Sequence, residues 1–80
     1  MPPKKHHLNL RGVKCPLNWA KAKGRLEYLL DGDQLELVID DPKGRRDIPR
    51  AAEAEGYAVV EVSKLNKVGD HATWKMVIEK

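Results

Sequence analysis

The spacing of apolar residues changes twice in the first half of the chain, and this change constrains the fold more than any other feature. Residues 8–10 read Leu-Asn-Leu, an alternation typical of a short strand, which ends before Gly12. Residues 16–30 follow a helical period, and residues 35–39 alternate again. A strand, a helix and a second strand in this order predict a βαβ unit, in which the two strands are parallel and the crossover is right-handed.

The predicted first helix has one apolar side and one mixed side. At 100° per residue, five side chains fall within an arc of about 100°, the width of a stripe that faces a core. These are Trp19, Ala22, Leu26, Leu29 and Leu30. The opposite side carries Leu17, Lys21, Gly24 and Tyr28. We therefore expect the first group to pack on the sheet and the second to face solvent.

The second half of the chain predicts a shorter helix. Residues 40–44, Asp-Asp-Pro-Lys-Gly, indicate a turn. Asp47 is the predicted N-cap of a helix that continues through Glu55 and stops at Gly56. We expect its inward residues to be Ile48, Ala51 and Ala52.

Two further strands complete the predicted fold. Residues 57–65 and 73–79 have strand character, and a hairpin loop at residues 66–70 joins them. Trp74, Met76 and Ile78 share one face of the last strand. The element order is then β-α-β-α-β-β. This order predicts an α+β, two-layer α/β sandwich, in which two helices cover one face of a four-stranded mixed sheet.

Length and composition fit one small domain, residues 8–80, after a flexible basic tail at residues 1–7. One cysteine cannot form an internal disulfide, which suits a reducing cytoplasm. We find neither the apolar stretch of a signal peptide nor an apolar run near the roughly 20 residues that span a membrane. The net charge of +3 is too small to indicate nucleic-acid binding by itself. A cytoplasmic protein without membrane contact is therefore expected.

Cys15 is the candidate reactive residue, because Pro16 follows it where the first helix is predicted to begin. Proline is favoured at the first helical position, so Cys15 falls at the predicted N-cap. Free backbone N–H groups and the helix dipole at that point favour a thiolate. Lys14 and Arg11 are expected to add positive charge near it. We predict a moderately activated thiol.

Three motifs in this chain resemble the TusA/SirA-like family of sulfur carriers. They are the opening Leu-x-x-x-Gly-x-x-Cys-Pro of residues 8–16, the Asp-Asp-Pro of residues 40–42, and the Arg-Asp-Ile-Pro of residues 46–49. The resemblance implies a persulfide carried on Cys15, and a sulfur donor that is a cysteine desulfurase or a rhodanese-like protein. It further implies an acceptor protein in tRNA thiolation, cofactor biosynthesis or sulfur metabolism, and no cofactor.

One residue departs from the family signature Cys-Pro-x-Pro, because Asn18 stands where the second proline would be. Proline there would stiffen the first turn at no cost in helical hydrogen bonds. Asparagine adds a polar side chain and a free N–H, which we expect to lie beside the thiol. The resemblance still implies the same role for Cys15, and it does not assign the protein to one pathway.

The exposed side of the first helix and the basic start of the second offer docking positions for partner proteins. The candidates are Leu17, Lys21, Tyr28 and Arg46. A simpler interpretation of the charges is that Arg45, Arg46 and Arg50 pair with Asp40, Asp41 and Asp47.

Other interpretations of the same residues remain open. Cys15 could be a small buried apolar residue without chemistry, or the sensor of a redox-regulated adaptor. A small α/β sandwich can also bind RNA, but Trp19 and Trp74 lie on the predicted apolar faces and favour core packing over base stacking. Without a Cys-x-x-Cys pair, His6, His7 and Cys15 do not predict a metal site.

Overall fold

The structure is a computed structural model, and it describes residues 3–68 and 71–80. Six elements follow one another in the predicted order. They are β1 (Lys5–Asn9), α1 (Leu17–Glu27), β2 (Gln34–Ile39), α2 (Pro42–Ala54), β3 (Ala58–Val68) and β4 (His71–Glu79).

The four strands form one mixed sheet in the order β1-β2-β4-β3. β1 and β2 are parallel, as the βαβ pattern predicts, and Leu8 lies opposite Leu37. β4 is antiparallel to both of its neighbours, β2 and β3. Because parallel strands run the same way, the carboxyl ends of β1 and β2 meet at one edge of the sheet.

One face of the sheet and the inner sides of both helices share a single apolar core. β2 alternates buried and half-buried residues, and Leu35, Leu37 and Ile39 are the buried ones. The helices add Ala22, Leu26, Ile48 and Ala52, and β4 adds Met76 and Ile78. Trp19 and Trp74 pack against this cluster as partly buried side chains. The predicted two-layer α+β sandwich is confirmed.

The other face of the sheet carries a cluster of charged side chains around Glu36 of β2. Its carboxylate lies 2.6 Å from His7 Nδ1, 3.5 Å from Lys5 Nζ and 3.9 Å from Lys75 Nζ. Burial would raise the pKa of Glu36, but the hydrogen bond from His7 and the charges of Lys5 and His7 outweigh it and leave this pKa below its usual value.

β1 begins earlier than expected, at Lys5, so residues 5–7 belong to the sheet and not to the predicted tail. The Gln34 N–H donates to the Lys4 carbonyl at 2.9 Å, which continues the parallel pairing. Asp33 accepts a 3.0 Å hydrogen bond from the Lys4 N–H and lies 3.3 Å from His6 Nε2. These two groups hold the pKa of Asp33 below its usual value.

The first helix ends at Glu27, before the predicted Leu30. The chain turns there, so Leu29 is buried while Leu30 is 72% exposed and is not part of the core. On the outward side, Leu17, Lys21 and Tyr28 are exposed as predicted.

The second helix begins at Pro42, and its N-cap is Asp41, so the predicted cap at Asp47 is wrong. The Asp41 side chain accepts a 3.2 Å hydrogen bond from the Lys43 N–H, and proline suits the first position of a helix. Asp47 lies inside this helix, as does Pro49. Ile48 and Ala52 are buried as predicted, and Ala51 is partly buried. The chain turns at Gly56, where φ is +89°.

The hairpin strands are longer than predicted. Residues 66–68 of the expected connector belong to β3, and β4 begins at His71. Residues 69 and 70 of that connector lie outside the described residues.

Candidate functional site

Cys15 lies in the loop between β1 and α1 and is partly exposed. The N-cap of α1 is Pro16, which has helical dihedral angles and no side-chain capping bond, so Cys15 stands one residue before the predicted position. The Pro16 carbonyl accepts from the Ala20 N–H at 3.1 Å, the first hydrogen bond expected of a capping residue. The thiol therefore belongs to the loop that leads into the helix.

Two adjacent carboxylates hold this loop through its backbone. The Gly12 N–H donates to both carboxylate oxygens of Asp40, at 3.0 and 3.1 Å. The Cys15 N–H donates to Asp41 Oδ2 at 2.8 Å. Asp40 and Asp41 follow β2, and the loop follows β1, so the meeting of the two parallel strand ends brings them together. From the sequence we expected both aspartates to lie in a turn, and we did not predict that they hold the backbone of this loop.

The arginines of α2 do not form the ion pairs predicted for these aspartates. In the described part of the chain, neither Asp40 nor Asp41 makes a salt bridge. Their oxygens accept from backbone N–H groups of the loop and of the first turn of α2. Arg46 pairs with Asp47, at 3.1 Å between Nε and Oδ1, and this is the one predicted partnership that forms among these residues.

Arg11 and Lys14, the predicted cationic support of the thiolate, are placed differently. Both the N–H and the Nε of Arg11 donate to Asn9 Oδ1, at 3.0 and 3.2 Å, so its head group is engaged at the end of β1. Lys14 is exposed and lines a shallow depression with Gly12, Asp40, Asp41 and Pro42. Within residues 3–68 and 71–80, neither side chain forms a hydrogen bond with the thiol. Lys14 is close to Cys15 only because the two residues are adjacent in the sequence.

Asn18 is not an exposed neighbour of the thiol, because its side chain is buried. Its Oδ1 accepts from the Trp19 N–H at 2.7 Å, and its Nδ2 lies 3.5 Å from Asp41 Oδ2. The Asn18 N–H donates to the Lys14 carbonyl at 3.1 Å. We expected this N–H to be free, but it has a partner. The link between Asn18 and Cys15 is indirect, because both residues donate hydrogen bonds to Asp41 Oδ2.

Three of the four docking candidates belong to α1 or to its C-terminal end, and the fourth belongs to α2. Leu17, 54% exposed, is the first residue of α1 and lies two residues from Cys15. Lys21 is exposed one turn further on, and Arg46 is exposed on α2. Tyr28, 88% exposed, is at the opposite end of α1, about 16 Å along the helix axis. It lines a separate depression with Leu30 and His6. The structure therefore keeps Tyr28 away from the thiol.

Neither a metal-binding cluster nor a membrane-spanning helix occurs among the described residues. No cluster of three or more His, Cys, Asp or Glu side chains suited to a metal ion occurs between residues 3 and 68 or between 71 and 80. None of the helices in those ranges has the length and apolar character needed to cross a bilayer.

Comparison with known proteins places the chain in a family. A family model described as Sulfurtransferase TusA matches residues 6–80. A "Putative sulfur carrier protein" of Archaeoglobus fulgidus is 34% identical, over 91% of this chain and 78% of its own length. The similarly named TsuB of Escherichia coli K12 is 30% identical, over 82% and 83%. A SirA-like protein from Desulfitobacterium hafniense has the same fold, with a TM-score of 0.62, 22% identity and coverage of 89% and 93%. Since the family match extends over nearly the whole sequence, the chain belongs to the TusA sulfurtransferase family.

Proposed function

We propose that this protein is a sulfur carrier that accepts a persulfide sulfur on Cys15 and relays it to an acceptor protein. The partly exposed thiol in a loop held by two carboxylates is the observation that carries this proposal. Family membership and relatives named as sulfur carriers support it. The donor in this proposal is a cysteine desulfurase or a rhodanese-like protein. The acceptor serves tRNA thiolation, cofactor biosynthesis or sulfur metabolism in the cytoplasm.

The transfer is a thiol–disulfide type of exchange in which no net oxidation occurs. The Cys15 thiolate attacks the outer sulfur of the donor persulfide, and a new S–S bond forms at Cys15. The S–S bond within the donor breaks, and the donor cysteine leaves as a thiolate. The persulfide proton stays on the transferred sulfur, so charge and atoms balance. Delivery to the acceptor repeats the same exchange, and no cofactor takes part.

The loop geometry suits a carrier that must present one atom to two successive partners. Because Asp40 and Asp41 bond to the backbone N–H groups of Gly12 and Cys15, the loop is held without covering the thiol. Leu17 offers an apolar contact two residues away, and Lys21 and Arg46 offer charge on the two helices. Any acid or base that the transfer needs comes from the partner enzymes.

Sulfur loading followed by intact-mass measurement tests this proposal. The reduced full chain is incubated with a cysteine desulfurase and L-cysteine, and in parallel with a rhodanese and thiosulfate. We expect a mass gain of one sulfur atom that dithiothreitol removes. The Cys15→Ser variant should gain none. Peptide mapping after alkylation should place the added sulfur on Cys15.

Absence of loading from several donors of both classes would refute the carrier function. Rapid oxidation of Cys15 by peroxide, combined with absence of loading, would favour the redox sensor instead.

A further inference from the structure

We propose that Asn18 is a positioning residue for the sulfur-bearing loop, and that it acts on Cys15 through the carboxylate of Asp41. This inference rests on the proposed function, in which Cys15 carries the sulfur. It assigns a purpose to the residue that replaces the second proline of the family signature in this chain.

Burial determines which way the Asn18 amide points. A buried amide is costly unless its polar atoms are hydrogen-bonded, and no buried side-chain polar atom in the described residues lacks a partner. Oδ1 accepts from the Trp19 N–H at 2.7 Å, which leaves Nδ2 facing Asp41 Oδ2 at 3.5 Å. The reverse orientation would place the amide oxygen against a carboxylate oxygen, where the two would repel.

Asp41 joins the two helix starts through one carboxylate. Its Oδ1 accepts from the Lys43 N–H at 3.2 Å and caps α2. Its Oδ2 accepts from the Cys15 N–H at 2.8 Å and from the Asn18 amide. A carboxylate rotates about its own bond, and the donor on Asn18 restricts that rotation. Asn18 therefore helps to keep Oδ2 in line with the Cys15 N–H.

Gly44 of α2 provides the space that Asn18 fills. A Cβ atom added at Gly44 would lie 2.5 Å from Asn18 Nδ2 and 3.4 Å from Asn18 Cγ. The Asn18 amide therefore occupies the space that a side chain at position 44 would need. The two residues are matched in size, because a glycine at position 44 leaves room for the asparagine at position 18. A proline at position 18 would have no donor for Asp41, and it would lose the bond from the Asn18 N–H to the Lys14 carbonyl.

Two variants separate the hydrogen bond from simple packing. Both variants lose the amide, with its donor to Asp41 and its acceptor for the Trp19 N–H. Asn18→Ala also removes the volume of the side chain, whereas Asn18→Leu keeps a branched side chain with the same number of heavy atoms. Should Asn18→Ala not fold, Asn18→Leu still provides the test. Amide hydrogen exchange is measured by NMR on the ¹⁵N-labelled, reduced full chain. The Gly12 N–H, which Asp40 holds, serves as an internal control in the same loop.

We expect the Cys15 N–H to exchange about tenfold faster in both variants, with the Gly12 N–H unchanged. The rate of sulfur loading from a desulfurase should fall by about tenfold, while the final extent of loading stays complete. Unchanged exchange at Cys15 would overturn the proposal. So would an equal acceleration at Gly12, which would indicate general loosening, or an unchanged loading rate.

The same experiment distinguishes failure of this inference from failure of the carrier function. If the wild-type chain takes sulfur from no donor, the carrier function is refuted. The exchange rate of the Cys15 N–H still shows whether Asn18 holds the loop. If the wild type loads normally and the variants match it in exchange and rate, only the role of Asn18 is refuted.

Discussion

The carboxylate of Asp41 accepts a 2.8 Å hydrogen bond from the backbone N–H of Cys15, a residue 26 positions earlier in the chain. The same side chain caps α2 through the Lys43 N–H. One carboxylate therefore both caps a helix and holds the backbone of the residue that bears the thiol.

Replacing Asp41 by alanine should destabilise the fold more than replacing Asp47. Asp41→Ala removes an N-cap and leaves the Cys15 N–H without its acceptor, so we expect a loss of about 2 kcal/mol in the free energy of unfolding. Asp47→Ala removes an exposed pair with Arg46 and should cost less than about 0.5 kcal/mol. Urea unfolding followed by circular dichroism measures both values. Equal losses would contradict the assignment of Asp41 as the cap.

Substituting Gly44 by alanine should destabilise the protein, although alanine normally favours a helix. The added Cβ would meet the Asn18 amide at 2.5 Å, so we expect a loss of about 1–3 kcal/mol. Gly24→Ala is the matched control, because nothing lies within 4 Å of its added Cβ. That change should stabilise α1 by up to about 1 kcal/mol.

A double variant checks the contact behind this expectation. Gly44→Ala should cost less in an Asn18→Ala background, because the side chain that it meets has been shortened. The coupling energy from urea unfolding should be about 1 kcal/mol or more. A coupling energy near zero would show that the two residues are not matched.

The stability of the fold should fall in acid partly because of Glu36, whose pKa is lower in the folded protein than its ordinary value of 4.5. Such a carboxyl stabilises the fold when the pH is above the unfolded value, and this contribution is lost as the pH falls through the folded value. We expect Glu36→Gln to lose less stability than the wild type between about pH 5 and pH 3.

Urea midpoints across that range measure the effect. Glu53→Gln is the control, because Glu53 is exposed on α2. The urea midpoint of Glu53→Gln should change with pH in the same way as that of the wild type. Identical curves for the wild type and Glu36→Gln would contradict the expectation.

Leu17 should matter for transfer from a donor enzyme, while an equally exposed leucine elsewhere should not. Leu17, two residues after Cys15, is 54% exposed, and Leu65 of β3 is 51% exposed. We expect Leu17→Ser to raise the KM for a desulfurase by about tenfold through loss of an apolar contact. Leu65→Ser should leave it unchanged. A similar effect of both substitutions would show that Leu17 is not a docking residue.

Local patterns predicted most of the fold. The change from alternating to helical spacing indicates the βαβ unit, and the parallel pairing of β1 with β2 follows from the connection rules. The start of α2 was wrong because Asp41 and Asp47 both have the chemistry of a cap. The starting residue of β1 was wrong because polar residues such as Lys5 enter a strand when a neighbouring strand satisfies their backbone groups.

The sequence predicts the position of the candidate site, but it does not predict the contacts within that site. The single cysteine and the proline after it mark the position. The partners of the loop, however, lie 26 and 28 residues away. Only the meeting of two strand ends brings them close. The burial of Asn18 likewise depends on a glycine of the other helix, and no local pattern in α1 contains that information.

The ion pairs around Glu36 affect where other proteins can bind to this small domain. A protein that settled on the uncovered side of the sheet would have to strip water from several charged groups at once, at considerable cost. Unspecific adhesion through that side is thereby disfavoured. We therefore expect partner proteins to bind at the rim of the sheet or on the helical layer, near the loop that carries Cys15.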